Sequence, residues 1–180
     1  MEFELGRKNL VKTQEGAVEE KNVQGVGSGK RPILKKAMRA PEALNEAYNY
    51  PRPSSFSRGI RLDIRGITLL FISGTASVDD RGESVHVGDF RAQTWRTFHN
   101  ITALLASEGA SWKDVVRTTC YLNDMKNYAD FNGIRTQFYR EQGLDPLPAS
   151  TGVQATLCRP ELLVEIEAIA VFETEGQKSG

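Results

Sequence analysis

The sequence predicts an α+β fold, a mixed β-sheet with two helices packed on one of its faces. Three observations predict it. Ile60-Arg61-Leu62-Asp63-Ile64 alternates apolar and polar residues, and a nearly continuous apolar run over 67–72 comes after it across Arg65-Gly66. Two later stretches, about 89–108 and 128–142, carry their apolar residues at helical spacing. The segments 115–122, 150–155 and 162–172 read as strands, the first rich in β-branched residues. The order is strand, strand, helix, strand, helix, strand, strand. A sheet covered on one side leaves a second face to bury, and self-association is the economical way to bury it.

Each element has its own local signals. Residues 1–50 read as a polar N-terminal extension, an arm suited to packing on a neighbouring subunit, with a short helix over 42–48 after Pro41. Its stretch QGVGSGK is not a phosphate loop. Gln24 stands where a Walker motif needs glycine, and Arg31 where it needs Ser or Thr. The folded domain spans 51–173 and a polar tail covers 174–180. The run 67–72 suits a central strand ended by Ser73-Gly74-Thr75, with a loop at Asp79-Asp80-Arg81-Gly82. Asp89 is suited to cap the first helix and Gly109 to close it, with Trp95, Phe98, Ile101 and Leu105 on one face. Ser111-Trp112-Lys113-Asp114 resembles a capping box. Tyr128, Phe131, Ile134 and Phe138 give the second helix its apolar face, and Gly143 closes it.

Composition excludes several classes. The chain has 180 residues, enough for one domain that buries roughly 70% of its unfolded surface. Lys plus Arg and Asp plus Glu both number 23, so the net charge is zero, which argues against a nucleic-acid binder. Cys120 and Cys158 form neither a disulfide framework nor a CxxC pair, and His86 and His99 belong to no zinc pattern. No apolar run approaches the roughly 18 residues of a membrane span, and the N-terminus lacks a signal-peptide core. A cytoplasmic protein with reduced thiols and no membrane partner is expected.

Several stretches carry a family resemblance. They are Phe71-Ile72-Ser73-Gly74-Thr75, Gly88-Asp89-Phe90 with Gln93-Thr94, and Asp114-Val115-Val116-Arg117-Thr118-Thr119. Phe131-Asn132, Leu147-Pro148-Ala149-Ser150 and Val164-Glu165-Ile166-Glu167-Ala168-Ile169-Ala170 come next, in that order. Together, over about 53–173, they resemble the RidA/YjgF family of reactive-intermediate deaminases. The resemblance implies a chorismate-mutase-like fold and a homotrimer with substrate clefts between subunits. It also implies a small-molecule substrate and no metal or organic cofactor.

The resemblance assigns roles residue by residue. Glu165 matches the carboxylate that orients the attacking water, Asn132 a site asparagine, and Ser73-Gly74 the strand end that lines the cleft. Ser150 stands where deaminating members carry the arginine that pairs with the substrate carboxylate. Phe56 stands where they offer a tyrosine, and Gly152 where a cysteine is frequent. Serine cannot replace a guanidinium clamp. Either the substrate differs, or another arginine reaches the cleft. Arg58 and Arg159 are the candidates, with Arg58 favoured for its place beside Phe56. Glu165 and Glu167 share a face of an otherwise apolar strand, where a half-buried carboxylate gains a raised pKa and can hold water. The run from Cys158 to Glu165 is also similar to chorismatases, which hydrolyse an enol ether, so Cys158 joins the candidate binding residues. Three functions are weighed: hydrolysis of an enamine, imine or enol-type metabolite; non-catalytic binding of a metabolite or partner by a trimer; and, weakest given zero net charge and no basic-aromatic interleaving, the RNA cleavage or translation inhibition that the resemblance also implies.

Overall fold

The computed structural model describes residues 33–51 and 53–174. Its strands are β1 (Leu34–Ala37), β2 (Gly59–Ile64), β3 (Ile67–Ala76), β4 (Val115–Leu122), β5 (Ala149–Gln154) and β6 (Val164–Glu173). Its helices are α1 (Phe90–Ser107) and α2 (Tyr128–Glu141). The strands form one sheet in the order β1-β2-β3-β6-β4-β5. The β4–β5 pair is parallel and every other pair antiparallel, so the sheet is mixed as the sequence predicts. A parallel pair needs a long crossover, and α2 supplies it between β4 and β5.

Local chemistry explains the boundaries. The Asp89 carboxylate accepts from the Ala92 amide and caps α1. Gly109 comes after the helix at φ 74°, a conformation costly for other residues. The Ser111–Asp114 capping box forms and tightens the turn into β4. Phe98, Ile101, Leu104 and Leu105 of α1 are buried against the sheet, with Phe131, Ile134 and Phe138 of α2. The rings of Phe98 and Phe138 stack with centroids 4.5 Å apart, and Trp112 meets Phe138 edge-on at 5.1 Å. The opposite sheet face keeps apolar residues in solvent, Phe71 among them at 40% exposure.

The N-terminal region differs from expectation. The sequence does not predict β1, which pairs with the edge of β2. The helix expected over 42–48 is absent, and one 3-10 turn, Ala47–Asn49, stands near its end. The Asn45 side chain bonds the Glu46 amide and so competes with helical pairing. Met38 and Leu44 are fully buried, so this segment packs into its own chain's core. The QGVGSGK stretch and most of the expected arm lie outside the described residues.

Candidate functional site

A break in strand pairing builds the site. On β3, Ile72 pairs with Ala168 and Thr75 with Ile166, so β3 holds one more residue than β6 over this interval. That bulge carries Ser73 and Gly74, and such irregularities re-aim backbone beside functional sites. Ser73 is fixed there, its hydroxyl donating to the Ser57 carbonyl at 2.8 Å and its amide to the Arg58 carbonyl at 3.0 Å. The bulge opens onto a cavity of about 450 Å3. Phe56, Arg58, Ser73, Gly74, Cys158 and Glu165, all singled out from the sequence, line it.

Glu165 and Glu167 both reach this cavity from β6. Gly74 makes room for Glu165, because a Cβ at position 74 would overlap its carboxylate oxygen. Burial first, and then the like charge of Glu167, push the Glu165 carboxyl above the usual glutamate range. Glu167 accepts a hydrogen bond from the Tyr121 hydroxyl at 3.1 Å. A carboxyl so placed can hold a proton and pass it to a bound molecule.

The arginines divide their work. Arg58 is buried, its Nε donates to the Asn45 carbonyl at 2.9 Å, and its Nη2 has no hydrogen-bond partner among the described residues. Tyr50 and Phe56 lie against its guanidinium with centroids at 4.8 and 5.2 Å. Burial lowers the Arg58 pKa, against the opposing influence of Tyr50 and Glu46. Arg159 also lines the cavity, and its Nη1 ties down the loop at the Gly82 carbonyl (2.6 Å) and the Ser84 hydroxyl (3.1 Å).

Asn132 and Ser150 lie elsewhere. They line a second cavity of about 480 Å3 between α2 and the start of β5. Ser150 pairs with Thr118, whose hydroxyl donates to it at 3.1 Å on the buried, helix side of the sheet. Glu165 pairs with Tyr121 and Glu167 with Thr119, so the carboxylates occupy the opposite face. Within one chain the eight expected residues thus form two sites.

Two residues of these cavities escape a reading by sequence. Tyr50 lines the Glu165 cavity with its hydroxyl buried, and its ring lies on Gly82, where a side chain would collide. Arg135 lines the second cavity and bonds both Asn132 and Ser150. Its i, i+3 spacing from Asn132 is the available signal.

The sequence profile described as endoribonuclease L-PSP matches residues 52–172. A RutC family protein of Pyrococcus horikoshii is 32% identical over 126 residues, which cover 69% of this chain and 94% of that one. The 3-aminoacrylate deaminase RutC of Acinetobacter baylyi is 32% identical over 102 residues, covering 57% of this chain and 78% of the relative. Among solved structures, a Rid-family protein of Yersinia pestis matches with a TM-score of 0.63 at 26% identity, covering 76% of this chain and 98% of that one. The YjgF gene product of E. coli matches with a TM-score of 0.60 at 26% identity, covering 76% and 98%. With its bulged β3, its mixed six-stranded sheet and its match over 52–172, the chain belongs to the RidA/YjgF family.

Proposed function

We propose that this chain is a hydrolase of the Rid type, which adds water to a short enamino or imino acid. The observation that carries this reading is Glu165, a carboxyl with a raised pKa seated against Gly74 in a cavity. The relative named for 3-aminoacrylate deamination supports the substrate class.

The chemistry needs one proton donor and one placed water. The acid form of Glu165 gives its proton to the nucleophilic carbon of the enamine and leaves an iminium ion beside the Glu165 carboxylate. That carboxylate then takes a proton from water as the water oxygen bonds the iminium carbon. Glu165 returns that proton to the nitrogen, the C–N bond breaks with its electron pair leaving on ammonia, and the hydroxyl proton passes to the Glu165 carboxylate, so that a carbonyl acid remains and the acid form of Glu165 is restored. Burial near Glu167 keeps the acid form available at higher pH than in a free glutamate. Phe56, Ser73, Gly74 and Cys158 shape the cavity, and Arg58 gives its wall a positive field.

The working unit in this reading is a homotrimer. It buries the sheet face that exposes Phe71, and it brings Asn132 and Ser150 of one copy to the Glu165 cavity of the next. Glu165→Gln tests the reading: the variant folds and loses turnover, and an unchanged rate rejects it. Ser150 favours the second reading, a trimer that binds a metabolite without converting it. Ligand binding with no turnover by the wild-type chain is its signature.

A further inference from the structure

We propose that Arg135, held in place by Asn132 and Ser150, is the carboxylate-binding residue of this chain, and that it takes a short 2-oxo or 2-imino acid. The guanidinium is fixed at three points. Its Nη2 donates to Asn132 Oδ1 at 2.7 Å and its Nη1 to Ser150 Oγ at 2.9 Å. The Phe131 ring lies against it, with its centroid at 5.2 Å. Ser150 is itself set by the Thr118 hydroxyl at 3.1 Å.

Both hydrogen-bond partners are neutral. Among the described residues Arg135 enters no ion pair. Its orientation is therefore settled while its charge is left uncompensated. A guanidinium has five N–H donors, more than Asn132, Ser150 and the neighbouring Cys120 thiol take up, so donors remain for a ligand. Much of the ordering cost of binding is met before a ligand arrives. A planar carboxylate matches the guanidinium fork better than other small groups do.

The surroundings set the ligand's size. Arg140 adds a second cation to the cavity wall, and Leu144, Leu147 and Pro148 line the space that a short alkyl group would fill. Arg58, by contrast, is buried with its Nε on a backbone carbonyl and two rings against it, which leaves its Nη2 without a partner among the described residues but little of its guanidinium open. Arg135 thus holds the better place for a ligand's charge. The inference rests on the hydrolase reading only for the chemistry after binding, and not for binding itself.

Calorimetric titration of pyruvate tests it, with pyruvamide and inorganic phosphate as comparison probes. Arg135→Gln should weaken pyruvate binding by about tenfold or more and leave the weak binding of neutral pyruvamide unchanged. Arg135→Lys should keep part of the affinity, because it retains the charge without the fork. If Arg135→Gln fails to fold, Ser150→Ala carries the test, with a several-fold loss of pyruvate affinity expected. Equal pyruvate affinity in wild type and Arg135→Gln, or in wild type and Ser150→Ala, overturns the proposal. So does phosphate binding as tight as pyruvate binding, or a wild type that binds no pyruvate. Glu165→Gln separates the two ideas. If it retains turnover while Arg135→Gln loses pyruvate, the hydrolase reading falls and the Arg135 site stands.

Discussion

Gly74 and Glu165 work as a pair, because the missing side chain of one is the space of the other. Gly74→Ala should displace the carboxylate and cut turnover on the order of tenfold or more, a loss of at least about 1.4 kcal/mol in transition-state stabilisation. Equal kcat/KM in the variant would show that Glu165 need not sit where it does. The pH profile offers a second check. The Glu165 pKa is raised, first by burial and then by Glu167. Its folded state therefore holds a proton more tightly than the unfolded chain does. The stability that this adds is full below the ordinary glutamate pKa and fades as pH rises through the raised value. Wild type should lose stability relative to Glu165→Gln over that window, measured by melting at a series of pH values. Glu167→Gln should move the Glu165 titration to lower pH. Glu165 is legible in sequence because alternation fixes a strand's faces. Arg135 is not, because its meaning comes from Ser150 across an α2–β5 contact that spacing alone does not reveal.

At the scale of elements, the helices and the central strands are legible from periodicity and caps. Asp89 lies where a cap is expected, and Asp89→Ala should cost about 1 kcal/mol, or about 2–4 °C in melting temperature. No change on melting would mean that α1 holds its end by packing alone. The segment 33–51 is less legible. Its β1 strand reads Leu-Lys-Lys-Ala, too short and too charged to declare itself, and it forms because the edge of β2 offers partners. Removing residues 1–51 uncovers the core around Met38 and Leu44 and takes Tyr50 from the cavity. That deletion should lower the melting temperature and abolish turnover. A deletion that melts and turns over like the full chain would show the segment to be dispensable.

At the scale of the whole molecule, the proposed homotrimer accounts together for the sheet's uncovered face and for the separation of Glu165 from Ser150. One-sided helix packing makes that assembly an expectation from sequence. The division of the expected site residues between two sheet faces is not legible there, since face assignment depends on register across several strands. Sedimentation at micromolar concentration should give three times the 20.0 kDa chain mass. A 20.0 kDa species would reject the proposed trimer and the composite cleft that depends on it. The most direct measurement is ammonia release from freshly generated 2-aminoacrylate, with wild type and Glu165→Gln side by side. Hydrolysis through Glu165 predicts clear acceleration by wild type and none by the variant. Equal rates for the two chains, or no acceleration by either, would contradict it.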